Sequence, residues 1–273
     1  MKKGKFSVLM SIYIKENAEY FDQCMKSIFT QTVLPGEIVI VKDGAITQEL
    51  EVVVEKYQNR YRDLIKIVPL PKNRGLGPAL AEGILHCSYE LIARMDTDDI
   101  SRKDRFEKQL SEFKKDAGLD ICGSHIKEFT KYPKNTLAKR KVPLNHGEII
   151  KYQKQRSAFN HMTVMYKKSA VLRAGNYQDA PLMEDDLLWV CMIQTGAKCK
   201  NINDYLVYVR TGDAMLRRRG GYEYLKKYIK GRRRILETGY INDWDFWKTV
   251  FVQVLVALVP VQVRKFVFIK LLR

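Results

Sequence analysis

Four short β-rich apolar runs, at 6–12, 37–41, 64–68 and 91–95, alternate with longer segments of helical period over the first third of the sequence. In the first such segment Tyr20, Cys24 and Ile28 fall beside Phe21, Met25 and Phe29 on one helix face; 48–62 and 76–86 read as the next two helices. Strand and helix periods cannot be exchanged without turning apolar side chains towards water. Repeated βα units therefore predict a largely parallel sheet covered by helices. After the fourth run, Ser101 is placed to cap another helix whose face carries Phe106, Leu110 and Phe113.

In sheets of this kind ligands bind beyond the carboxyl ends of the strands. All four ends are polar here: Ser11, Ile12 and Tyr13; Asp43 and Gly44; Asn73, Arg74 and Gly75 after Pro71 and Lys72; and Asp96, Thr97, Asp98 and Asp99. Brought to one edge, they form a site able to hold a base, a ribose and phosphates.

Alternate residues of an extended segment face the same way, so Asp96 and Asp98 can meet one ligand while Asp99 starts the turn. Crowded carboxylates repel unless a cation neutralises them, and an oxygen-only set suits Mg²⁺ or Mn²⁺ sharing phosphate oxygens. A solvated loop is the alternative, with Asp99 helping the next helix to start. Asp43-Gly44 is also a common turn pair. Asn73, Arg74 and Gly75 precede a helix start, where free amides and a guanidinium favour an anion. Gly75-Leu76-Gly77 lacks the third glycine of a dinucleotide fingerprint and no phosphate-loop motif occurs, which argues against a dehydrogenase or a P-loop enzyme.

Farther on, Glu184, Asp185 and Asp186 open a helix-forming run. Acids there offset the helix dipole, and one of them can also serve as a general base. His161 can be a ligand to metal or phosphate, or a structural histidine.

Lys and Arg outnumber Asp and Glu by 48 to 31 in 273 residues, a formal charge of +17 that attracts polyanions. The basic residues concentrate at 217–234, with Tyr222, Tyr224 and Tyr228 between them. The following apolar stretch, 249–263, is interrupted by Gln253, Pro260 and Gln262 and is shorter than a bilayer span. With Trp244, Phe246, Trp247, Phe266 and Phe268, it reads as a segment lying in an anionic membrane interface or as a packed C-terminal helix. The expected division is a catalytic domain at 1–215 and a basic helical region at 216–273. Five cysteines without a metal-ligand spacing predict reduced thiols, and the N-terminus lacks a signal-peptide core.

The order Ser11-Ile12-Tyr13, Val41-Lys42-Asp43-Gly44, Asn73-Arg74-Gly75, Asp96-Thr97-Asp98-Asp99, Asn160-His161 and Glu184-Asp185 resembles family 2 of the inverting glycosyltransferases, in particular the bacterial capsule, exopolysaccharide and O-antigen group similar to amylovoran-type enzymes. The resemblance implies a GT-A fold, a Rossmann-like mainly parallel sheet, and a metal-dependent transfer from a nucleotide-sugar, a UDP-sugar, to a saccharide. It implies that Asp43 reads the base, Tyr13 stacks near it, and Ser11, Glu16, Asn73, Arg74 and Gly75 line the nucleotide pocket. Asp96 lies on the ribose side, Thr97 joins the nucleotide-sugar-binding residues, Asp98 and His161 hold Mn²⁺ or Mg²⁺, Glu184 lies near the donor, and Asp185 is the base. Arg218 and Arg219 resemble a segment that closes over the diphosphate. The implied acceptor is a polyprenyl-diphosphate-linked saccharide at the cytoplasmic face of the bacterial plasma membrane, without a nucleic-acid partner. Ile12, Ile14 and Lys42 depart from the family's proline, asparagine and aspartate at those places. Two rivals fit less well. A sugar-phosphate nucleotidyltransferase needs a glycine-rich loop that 11–16 lacks, and a basic nucleic-acid-binding protein leaves the acidic clusters without a purpose.

Overall fold

The computed structural model describes residues 2–212 and 220–259. In chain order the strands are β1 (Lys2–Lys3), β2 (Phe6–Ile12), β3 (Val33–Leu34), β4 (Glu37–Asp43), β5 (Ile65–Leu70), β6 (Leu91–Arg94), β7 (Ile100–Ser101), β8 (Leu119–Phe129), β9 (Thr136–Arg140), β10 (Met165–Lys167) and β11 (Lys198–Arg210). The helices are α1 (Ala18–Phe29), α2 (Gln48–Arg60), α3 (Leu76–His86), α4 (Arg105–Lys115), α5 (His146–Gln153), α6 (Lys168–Arg173), α7 (Glu184–Gln194), α8 (Tyr222–Glu237) and α9 (Asp243–Leu258).

The main sheet runs β5-β4-β2-β6-β10-β8-β11-β7, with β9 added to β8. Its first four strands are parallel, as expected from the βα repeat. β10 then enters antiparallel between β6 and β8, so the second half is mixed. Strand β2 is buried along nearly its whole length, as a strand covered on both faces must be. Phe6, Val8, Met10 and Ile12 join the core under α1 and α2, whereas Leu9 joins Ala79, Leu80 and Ile84 of α3 on the other face. Parallel register then sets the polar ends side by side: Ile12 opposite Lys42, and Asp43 opposite Leu70.

Ser101 does not cap α4. It pairs with Val207 as part of β7, and the helix starts at Arg105 after Asp104. Its hydroxyl instead accepts from Arg105 Nη1 at 3.0 Å, inside a buried cluster where a second strand, rather than solvent, satisfies the backbone.

Helices α8 and α9 form an antiparallel hairpin: Gly221 at the start of α8 donates to the Ala257 carbonyl near the end of α9. Ile235, Ile241, Phe246 and Val250 of this hairpin share one core cluster with Ala180, Met183, Leu187 and Val190 around α7. Gly231 allows the contact, since a Cβ there would lie 2.5 Å from the Pro181 carbonyl oxygen. The 249–263 stretch is therefore helical and half-packed as far as it is described, and no described helix is long and apolar enough to cross a membrane.

Candidate active site

Asp43 leaves β4 3% exposed and turns its carboxylate onto the loop after β5. Oδ1 accepts from the Arg74 amide at 2.7 Å and Oδ2 from the Gly75 amide at 2.9 Å, while Asn73 Nδ2 donates to the Asp43 carbonyl at 3.2 Å. The amides expected to face a ligand anion are thus bonded to a protein anion, and Asp43 holds the two residues that lead into α3, a helix without a side-chain cap of its own. What remains for a ligand at this corner is the exposed Arg74 side chain and the outer lone pairs of Asp43. Lys42, the departure from the family pattern, is ion-paired with Glu51 of α2.

Gly44 makes this latch possible. Its φ is +81°, and a Cβ would come within 2.6 Å of the Asn73 amide nitrogen. Gly44→Ala is therefore expected to lower stability by about 2 kcal/mol or more, from left-handed strain plus displacement of the 73–75 loop. Chemical denaturation measures this, and an unchanged midpoint would show that the loop is not held there.

Four carboxyl groups crowd the end of β6. Glu16 is pushed up to about 7, by burial first and then by Asp98 and Asp96, with Thr97 hydrogen-bonding against the shift. Asp98 is raised to about 6 by burial and by Asp96, and Asp99, 1% exposed, is raised well above the usual range by burial and its two neighbours. Such mutual destabilisation is the electrostatic condition a divalent cation relieves. Among the described residues no three His, Cys, Asp or Glu side chains form a group that could hold a metal by themselves. A cation here would therefore need oxygens from its ligand as well as from the protein.

Two arginines with no motif around them fix this loop. Arg210, at the end of β11, donates its amide to Asp99 Oδ1 at 2.8 Å and its Nε to the Asp98 carbonyl at 3.1 Å. Its guanidinium lies 3.8 Å from the Tyr20 ring centre and 4.7 Å from that of Phe129. Arg94, 1% exposed, donates Nη2 to Asp96 Oδ1 at 2.5 Å, and its Nε and Nη1 have no partner among the described residues. Its charge lowers the pKa of Asp98 and Asp99 on one side and of Glu184 and Asp185 on the other.

Glu184, Asp185 and Asp186 form the first turn of α7. They are not equivalent. Asp186 Oδ1 accepts from Gln153 Nε2 at 2.9 Å. The Glu184 Cβ packs where a Cβ on Gly77 would lie, 3.1 Å away. Asp185, with 23% of its side chain exposed, lies 4.0 Å from His161 Nδ1. Burial, then Asp186 and Glu184, raise its pKa well above the usual range. His161 Nε2 is 2.8 Å from the Tyr177 hydroxyl, and burial and Arg94 keep the ring neutral. The metal role expected of His161 thus meets a different arrangement: one ring nitrogen is held by Tyr177 and the other faces Asp185. Ser11, Tyr13 and Glu16 follow at the end of β2 with intermediate exposure. Arg218 and Arg219 lie outside the described residues.

Residues 7–178 match the profile of Glycosyl transferase family 2. A UDP-Gal:alpha-D-GlcNAc-diphosphoundecaprenol beta-1,3-galactosyltransferase of Escherichia coli is 37% identical over 98% of this chain and 97% of its own length. An amylovoran biosynthesis glycosyltransferase of Erwinia amylovora is 36% identical over 97% of this chain and 98% of its own. Among solved structures, a mannosyltransferase from Pyrobaculum calidifontis in complex with GDP-Man and Mn²⁺ superposes with a TM-score of 0.64 at 14% identity. That superposition covers 91% of this chain and 68% of the other.

Proposed function

The chain belongs to glycosyl transferase family 2, and we propose that it moves a sugar from a UDP-sugar to a hydroxyl of a polyprenyl-diphosphate-linked saccharide, with inversion at the anomeric carbon, in bacterial surface-polysaccharide synthesis. The arrangement of Asp185 and the Glu16–Asp96–Asp98 cluster about the buried guanidinium of Arg94 carries the reading. It provides one carboxylate for an acceptor and a separate set for a donor. The close similarity to the E. coli enzyme, whose name specifies UDP-Gal and a diphosphoundecaprenol-linked sugar, supports the substrate classes.

Asp185 takes the proton of the acceptor hydroxyl, and the oxygen attacks the anomeric carbon from the face opposite the nucleoside diphosphate. The new glycosidic bond forms as the bond to the phosphate oxygen breaks. His161, bonded through Nε2 to Tyr177, turns Nδ1 towards Asp185 at 4.0 Å, and on this reading it lies beside the base, with the metal assigned to Asp98. Asp43 and Tyr13 address the base, with Ser11, Asn73, Arg74 and Gly75 around them. Asp96 faces the ribose, Glu16 and Thr97 line the nucleotide pocket, Glu184 lies near the donor, and Arg218 and Arg219 close over the diphosphate. Mn²⁺ or Mg²⁺, held by Asp98 together with diphosphate oxygens, would stabilise negative charge on the leaving group as a Lewis acid; the Mn²⁺ in the Pyrobaculum complex supports this choice. The enzyme works in the cytoplasm at the inner face of the plasma membrane, where such acceptors are presented.

A panel of nucleotide-sugars, assayed with Mn²⁺ or Mg²⁺ for binding and slow hydrolysis, tests the proposal. A UDP-sugar is expected to bind in a metal-dependent way. No binding above background with either metal would remove the reading.

A further inference from the structure

Helix α9 packs one side on the body of the protein and leaves an apolar side in solvent. Phe246, Thr249, Val250 and Ala257 are buried, whereas Trp244 is 75% exposed, Trp247 62%, Phe251 64% and Leu255 52%. The exposed four recur at spacings of three and four, so they form one stripe about 16 Å long at 1.5 Å per residue. Val252, 49% exposed, borders it, and the exposed Lys248, one turn after Trp244, lies in the stripe, where a lysine stem can lie along apolar surface and lift its ammonium out. Soluble surfaces rarely leave two tryptophans, a phenylalanine and a leucine contiguous.

We propose that this stripe is a membrane-docking face that enters the headgroup region of an anionic bilayer and holds α9 in the plane of the interface. The inference rests on the lipid-linked acceptor proposed above and names the surface that brings the enzyme to it. Three observations select lipid over another protein. Tryptophan is the residue that favours the interface between headgroup and hydrocarbon. The antiparallel partner α8 exposes Lys226, Lys227, Lys230, Arg233 and Arg234 against Glu223 and Glu237, a cationic complement to anionic headgroups. A second copy of this chain would bring those same cations together. At 16 residues α9 lies on the bilayer rather than across it.

The place of the hairpin gives the docking a consequence. Gly231 of α8 packs on Pro181 and Met183, which immediately precede Glu184 and Asp185. Arg232 donates Nε to Thr249 Oγ1 at 3.0 Å and Nη2 to the Lys154 carbonyl, next to the glutamine that holds Asp186. A bilayer contact at α9 is thus fixed through α8 to the acceptor side of the site.

Flotation of the full-length protein with phosphatidylcholine vesicles, with and without phosphatidylglycerol, tests this. Two of the three tryptophans lie on the stripe and Trp189 is fully buried, so a blue shift of emission reports the stripe itself. The wild type is expected to float with anionic vesicles with blue-shifted emission. The double variant Phe251→Glu/Leu255→Glu is expected to bind about tenfold or more weakly at an unchanged melting temperature. Donor hydrolysis should be equal in both, so a missing donor activity with retained flotation sinks the functional reading alone. The docking proposal is overturned if the wild type does not float, or if the variant floats equally well. It is overturned too if the lipid-free protein is a dimer that the variant dissociates, or if a soluble quencher cannot reach Trp244 and Trp247 without lipid. Those last outcomes would mean that a second copy, or residues 260–273, covers the stripe.

Discussion

Asp185→Asn is expected to bind the UDP-sugar as tightly as the wild type and to lose transfer, with kcat down by about 10²- to 10⁴-fold, the range for a general base. The substitution keeps shape and leaves the Gln153–Asp186 bond and the His161–Tyr177 bond in place. What disappears is the carboxylate facing the neutral imidazole. Burial and two acidic neighbours raise the Asp185 pKa. The wild-type rate should therefore rise with pH as the group loses its proton, over a range higher than an ordinary aspartate would show. That limb belongs to the coupled acidic turn as a whole. In Asp185→Asn it should be lost with the activity. Transfer followed by chromatography and donor binding by calorimetry separate the two effects. Unchanged transfer would move the base to Glu184 or Asp186.

The βα half of this chain was legible because each element satisfies its own period. The strand at 6–12 and the helix at 76–86 have the bounds read from the sequence, since apolar residues fill them and polar residues end them. Helix α2 stops at Arg60 and not 62, where Tyr61 takes the last helical hydrogen bond. The two longest strands, β8 and β11, carried no such signal. β8 is buried on both faces around Gly123, Ser124 and His125, and β11 includes Asn201, Asn203 and Asp204, residues that locally favour turns. Each is a strand because the other lies parallel to it, Leu119 opposite Lys198. A pairing that distant is invisible in a local window.

The candidate site divides in the same way. Carboxylates at strand ends are readable because position and residue type coincide there. The partners that decide their behaviour are not. Asp43 looked like half of a turn and latches the loop that leads into α3, a role created by the β4–β5 register. Arg94 sits at the last position of an apolar strand, where a charge would seem misplaced. Only the assembled sheet shows it under Asp96, with acids on both sides. Arg210 likewise ends an unremarked strand, yet its amide and Nε hold Asp99 and Asp98.

The last expected result concerns Asp98. Asp98→Ala should weaken metal-dependent donor binding by about 10²-fold, the scale of losing one well-placed electrostatic group in a secluded site, while metal-free folding improves at neutral pH. Glu16 titrates near 7 and Asp98 near 6 in the folded chain, against 4.5 and 3.8 when unperturbed. Between those values the native state holds protons that the unfolded chain has released. Stability without metal must then fall as pH rises from about 4 to about 7. A divalent cation that binds only the folded carboxylates reverses the loss, so stabilisation by Mn²⁺ should grow over the same interval and level off above it. In Asp98→Ala one raised carboxyl is gone and the repulsion on Glu16 is reduced. Its metal-free melting temperature should depend less on pH, and added Mn²⁺ should have little effect. Melting curves at about pH 5 and about pH 8, with and without Mn²⁺, measure all four corners. An Mn²⁺-induced rise that survives Asp98→Ala at the higher pH would place the cation elsewhere.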